Sequence, residues 1–267
     1  MTTTVQQAPA SAPVHERQVP ALGGFNLTAL KLEVRRVLRN RRTVMFIVVF
    51  PSLFFLMFSS AARGKDGVTQ NPGVLAAIMI SMAVYGAMVG TTSGGAAVAV
   101  ERSLGWSRQL RLTPLRPAAY VAMKVLTAMT LGLIAIVVEF TFGAVTGVRL
   151  APHVWILSGL AAWLCSFVFA AFGLFMGFLL PSENVMQVAG PVLAVLSMFG
   201  GLFIPLSALS PTMRTVAAFS PVYGVGQLAR APLMGGATAG AVLSVVAWTL
   251  LFGAAAMALF RRDTARV

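Results

Sequence analysis

Few residues in this chain could do chemistry. The 267 residues include 2 histidines, 1 cysteine and 7 acidic side chains. His15 falls in an amino-terminal tail and His153 in a predicted loop, while Cys165 lies alone in an apolar run. These cannot assemble a metal cluster or an intrachain disulfide. The nearest approach to a nucleophile motif is Thr91-Thr92-Ser93-Gly94-Gly95, but no apolar run contains a histidine that could activate the serine. Small residues in such a run favour close helix packing instead. H-E-x-x-H is absent, as is the phosphate-binding G-x-x-x-x-G-K-[ST]. The expectation is a chain with no catalytic residues, no metal site and no cofactor of its own.

Two ionisable residues stand inside one apolar run, Lys124 and Glu139. At membrane depth such residues are candidates for function. Their separation corresponds to about 22 Å along a helix, so they cannot pair with each other. Lys124 lies near the end of its run and can snorkel to lipid headgroups. Glu139 needs a donor on another helix, a wet cavity or a proton. A structural hydrogen bond and a place on a substrate route both remain open for it.

The elements that must position these residues are membrane spans. Hydrophobic residues make up 58% of the chain and charged residues 10%, against roughly 25% charged in soluble domains. The mean hydropathy is +0.85. A bilayer core of about 30 Å needs roughly 20 apolar residues per helix. Six spans are expected, near 43–62, 74–100, 118–145, 154–180, 185–205 and 238–260, giving an all-α membrane protein. Pro191 and Gly200-Gly201 interrupt the fifth.

Residues 1–24 lack the apolar stretch of a signal peptide and read as a disordered tail. From Phe25 to Arg42 an apolar series (Leu27, Leu30, Val34, Val37, Leu38) is interleaved with Lys31, Arg35 and Arg39, and Asn26 stands as a cap. That pattern predicts a basic amphipathic helix in the membrane interface. The transmembrane domain is placed at 25–262, with a short tail at 263–267. The segment Leu206–Ala237 is apolar yet broken by Pro211, Pro221 and Pro232, which predicts short re-entrant or interfacial helices rather than an open loop.

The net charge of +13 invites a nucleic-acid reading, but its distribution argues for lipid headgroups instead. Fourteen of the 20 Lys and Arg residues fall on one side of the six-span arrangement. The positive-inside bias then places both termini in the cytoplasm, in a multi-pass protein of the cytoplasmic membrane.

Two stretches resemble a known family. The first is Glu101-Arg102-Ser103-Leu104-Gly105-Trp106-Ser107-Arg108-Gln109-Leu110-Arg111-Leu112-Thr113-Pro114, followed by Pro117, Tyr120 and Lys124. The second is Gly200-Gly201-Leu202-Phe203-Ile204-Pro205-Leu206, continuing to Pro211, Ser220-Pro221 and Tyr223. Together they are similar to the permease subunits of type-2 ATP-binding-cassette exporters, which include drug-resistance and lipid or polysaccharide exporters. Ser220 stands where many members have Asn, and the region after Tyr223 lacks an acidic residue.

The resemblance implies two permease subunits, identical or homologous, joined to two copies of a separate ATPase that holds ATP and Mg. It implies a coupling helix in which Glu101, Arg102, Leu104, Arg108, Leu110, Arg111 and Leu112 meet that ATPase. It also implies an outer gate on a substrate route, for which Glu139, Phe199, Phe203, Phe219 and Tyr223 are the candidates. Export of an amphipathic drug, antibiotic or lipid is the expected activity. A non-transporting sensing or resistance component and an intramembrane enzyme are the alternatives, the latter opposed by the missing catalytic groups.

Overall fold

The computed structural model describes residues 25–62, 72–105, 117–236 and 238–265. Among these it is built from helices, with no strand. The predicted tail at 1–24 and the centre of the coupling segment lie outside the described residues.

The entry helix α1 (Leu27–Leu38) starts where the Asn26 side chain accepts a hydrogen bond from the Thr28 backbone N–H at 2.7 Å. This satisfies one of the donors that a helix start leaves open. The helix stops short of the predicted Arg42. A turn at Arg39 and Asn40 separates it from a single helical turn at Arg41–Val44, which leads into α2 (Met45–Ala62). The first five residues of α2 are wound as a π-helix, immediately ahead of Pro51. Proline withholds an N–H and crowds the preceding turn, and the wider winding accommodates it.

Four further helices are long and apolar enough to cross a membrane: α3 (Pro72–Ser103), α4 (Ala118–Val145), α5 (Pro152–Leu179) and α9 (Ala239–Ala265). Each agrees within a few residues with a predicted span, because a long uncharged run has no alternative to a helix in lipid. The remaining predicted span, 185–205, forms a shorter helix, α6 (Val185–Phe199), of 15 residues. At 1.5 Å per residue it reaches about 22 Å, less than the bilayer's hydrocarbon core. The chain turns off it at Gly200 and Gly201, the latter at φ +82°.

Beyond that turn the proline-rich segment is helical, as its apolar content predicts. It forms α7 (Pro211–Ala218) and α8 (Pro221–Met234). Both begin on a Ser-Pro pair. The Ser210 and Ser220 hydroxyls accept from the N–H groups of Met213 and Val222, and the following proline has no N–H to leave unpaired. Helix α8 packs against the first half of α5 and against α3 and α9.

Helix α3 is the hub of the bundle. Two thirds of its apolar window is buried, against 6% for α9, which faces outward. The small residues of α3 permit that role. A Cβ on Gly95 would fall 2.6 Å from the Ala170 carbonyl oxygen, and one on Gly173 of α5 would fall 2.3 Å from that of Thr92. Gly94 and Gly95 are therefore a packing surface, as the composition of that stretch suggested.

Candidate functional site

At the end of α3, four ionisable side chains from three helices share one cluster. Glu101 and Lys124 are 5% and 4% exposed. The Lys124 ammonium contacts both Glu101 and Glu33 of α1. Arg36 Nη2 donates to Glu101 Oε1 at 2.7 Å and to Glu33 Oε1 at 2.8 Å, and the Tyr120 hydroxyl donates to Glu101 Oε2 at 2.7 Å. Tyr120 and Lys124 are one turn apart on α4 and so share a face. Two carboxylates face two cations, which is the condition for keeping charge inside a protein. Burial works against the charge on Arg36, but the Glu101 hydrogen bond and the nearby Glu33 carboxylate hold its guanidinium above the ordinary value.

Lys124 therefore departs from the expectation of snorkelling. Its ammonium turns inward because two carboxylates lie within reach on neighbouring helices, and their attraction replaces hydration.

Arg102, the next residue, turns to the other side. Its guanidinium grips Asp263 of α9 in a fork, Nε to Oδ2 at 3.0 Å and Nη2 to Oδ1 at 2.9 Å. Its Nη1 donates to the carbonyls of Gly177 and Phe178 at 3.1 and 2.9 Å, which closes the carboxyl end of α5. Glu101 thus binds α1 and α4, and Arg102 binds α5 and α9. These contacts also place the amino-terminal helix and the carboxyl end of α9 at the same end of the bundle. The chain leaves this anchored point at Leu104, which is 75% exposed. Arg108, Leu110, Arg111 and Leu112 lie outside the described residues.

The second feature is a cavity of about 430 Å³ between α2, α3 and α6, lined by Phe46, Phe50, Phe54, Tyr85, Ser93 and Met186 among others. Its size falls in the range of small-molecule sites. Phe203 packs on the two lining residues Tyr85 and Phe54, with ring centroids 4.9 Å and 5.3 Å away. Phe58 completes this aromatic wall, 6.1 Å from Phe203.

The other gate candidates are placed elsewhere. Phe199 is half-buried at the end of α6, and Tyr223 is half-buried on α8. Phe219 is 73% exposed, and its carbonyl accepts from Trp248 Nε1. Glu139 is buried between α4 and α2, where the Ser52 hydroxyl donates to its Oε2 at 2.9 Å. Its Oε1 has no hydrogen-bond partner among the described residues. The donor on another helix that Glu139 required is therefore Ser52.

Several residues of these sites escaped the sequence reading. Phe46, Phe50, Phe54 and Phe58 recur at every fourth position, a stripe on one helical face that periodicity alone could have flagged. Glu33 and Asp263 carried no such signal, because their partners lie 91 and 161 positions away. Arg230, expected on an outer segment, is buried. Its Nη1 donates to Ser81 Oγ at 2.7 Å and to the Gly201 carbonyl at 2.9 Å. It fastens α8 to α3 and to the turn that ends α6.

Comparison with known proteins accords with this architecture. The chain is similar to the protein named "Putative transport permease YvfS" of Bacillus subtilis (strain 168), with 27% identity over 223 residues, covering 82% of this chain and 90% of that one. Residues 26–234 match the model of the family described as ABC-2 type transporter. That match takes in α1 to α8, the anchored end of α3 and the aromatic cavity, and the chain accordingly belongs to the ABC-2 type transporter family.

Proposed function

We propose that the chain is the permease subunit of an ATP-binding-cassette exporter that moves an amphipathic drug, antibiotic or lipid outward across the cytoplasmic membrane. ATP and Mg act on a separate ATPase, present in two copies, and a second permease subunit, identical or homologous, completes the pathway. Both termini face the cytoplasm, and the segment that leaves α3 after Ser103 docks on the ATPase through Arg108, Leu110, Arg111 and Leu112.

The observation that carries this reading is the division of labour between Glu101 and Arg102. A force applied to the segment just beyond them reaches α1 and α4 through one residue and α5 and α9 through the other. Rigid helices tied by salt-bridge and hydrogen-bond networks pass a displacement on to one another. The cavity between α2, α3 and α6 supports the same reading. It occupies the half of the bundle nearer the docking segment, and Phe203, Tyr85 and Phe54 close it as a gate. Its wall is aromatic, with Ser93 as a polar contact, which suits an amphipathic cargo. The proposed route continues outward past Phe199, Tyr223 and Glu139, and the exposed Phe219 stands off it.

The test is copurification of the ATPase partner with the intact chain and with the Arg108→Glu/Arg111→Glu variant. Retention by the former and loss by the latter is the expected result. Association unchanged by the double reversal would defeat the docking assignment.

A further inference from the structure

A second apolar recess, of about 180 Å³, lies between α4, α5 and α9 and shares no helix with the aromatic cavity. Its lining runs from Phe260 to Thr249 on α9 and from Phe178 to Phe167 on α5. The end residues of each stretch are eleven positions apart, about 16 Å along a helix, close to half the hydrocarbon thickness of a bilayer. The recess is thus as deep as one leaflet. It is smaller than the sites of compact drug-sized molecules, which begin near 300 Å³, and takes one side of an acyl chain that lies along the groove with its other side in the bilayer. Gly253 contributes to the opening, since a Cβ there would meet nothing within 4 Å.

The end of the recess is basic. Thr249, Gly253, Met257 and Arg261 follow one another at four-residue intervals and share a face of α9. Arg261 therefore lies on the helix face that continues the apolar wall, its neighbour Arg262 is about 100° around the helix, and both are exposed. The acidic residue at this end, Asp263, is matched by the Arg102 fork, and the same guanidinium lies 5.8 Å from the ring centroid of Phe178 in the lining. The described side chains at the mouth thus carry net positive charge. A guanidinium has five donors, so each arginine can accept a phosphate alongside other contacts.

We propose that this recess binds an anionic phospholipid of the leaflet adjoining the two termini, with one acyl chain along α5 and α9 and the phosphate on Arg261 and Arg262. Such a lipid would brace α9, the least buried of the five spans, against α4 and α5. The site is separate from the proposed export route and requires only that the bundle sits in a bilayer. Basic clusters at the ends of spans recognise anionic headgroups on the same principle.

The experiment is native mass spectrometry of the full chain in mild detergent, titrated with phosphatidylglycerol or with phosphatidylcholine of identical acyl chains. Phosphatidylglycerol should be retained preferentially. Arg261→Gln should weaken its binding about five-fold, and Arg261→Gln/Arg262→Gln about twenty-five-fold. Arg41→Gln, which removes an exposed arginine near α2, should leave binding unchanged. Gly253→Leu should fill the recess and reduce retention of both lipids. Equal affinity for the two lipids would overturn the proposal. Undiminished phosphatidylglycerol binding by the double arginine variant, or an equal loss in Arg41→Gln, would do the same.

Discussion

Glu101 and Arg102 are neighbours in the chain, yet their side chains anchor different pairs of helices. Glu101 receives Lys124, Arg36 and Tyr120, while Arg102 holds Asp263 and the last carbonyls of α5. The helix fixes this outcome, since consecutive residues point about 100° apart. Whatever moves the segment after Ser103 must therefore act on four other helices together.

The buried cluster should behave as one unit. Lys124→Met leaves Glu101 and Glu33 with Arg36 as their cation, and should cost about 3 kcal/mol, the lower end for breaking a buried pair. Lys124→Met/Glu101→Gln should recover part of that loss. Thermal unfolding in detergent, analysed as a double-mutant cycle, measures it. Additive losses would mean that the two side chains do not interact.

Arg102 and Asp263 make a weaker tie, because both side chains are partly exposed. Asp263→Asn should destabilise the protein by no more than about 1 kcal/mol. The reversal Arg102→Asp/Asp263→Arg should fail to restore stability, since an aspartate cannot donate to the Gly177 and Phe178 carbonyls. Full recovery would show that the carbonyl contacts contribute nothing.

Close approach of α3 and α5 depends on glycine. Gly173→Ala places a methyl group against the Thr92 carbonyl and should cost about 1–3 kcal/mol through separation of the helices. Gly253→Ala on α9 meets open space and should be neutral or slightly stabilising. Melting temperatures of the two variants side by side are the check, and similar values would contradict the packing.

Ser52 is the donor that Glu139 receives among the described residues, so Ser52→Ala should cost about 1–3 kcal/mol by leaving a buried carboxyl group unsatisfied. Glu139→Gln preserves an acceptor and should retain the fold. Export by the Gln variant then separates the two roles of this residue. Unchanged transport of every substrate would leave only the structural hydrogen bond.

If Phe203 closes the cavity, Phe203→Ala should raise transport leakiness or broaden cargo range, while Phe219→Ala, far more exposed, should change neither. Efflux from cells loaded with a fluorescent amphipathic dye reads the difference. Identical efflux from the two variants would remove Phe203 from the gate.

Five spans were legible from the chain because length and apolarity suffice to define a helix in lipid. The segment 185–205 was less so. Its composition resembles a span, but Pro191 and the Gly200-Gly201 turn shorten the helix, and composition does not report where a backbone turns. Among the gate candidates, Phe203 packs on Phe54 and Tyr85 of the cavity lining, whereas Phe199, Phe219 and Tyr223 are not among its lining residues. An aromatic residue has the same local signature whether it faces a cavity, lipid or a neighbouring helix.

The sequence by itself determined the membrane setting, the helical class and the capped entry helix, all of which depend on composition or on contacts within a few residues. Only the tertiary structure decided that Lys124 turns inward, that Glu139 meets Ser52 and that Arg102 reaches Asp263. Those partners are separated by 23 to 161 positions, so their pairing is set by how helices pack rather than by any local pattern. The physical reason is that burial makes an unpaired charge costly, while the identity of its partner depends on which helix face lies opposite.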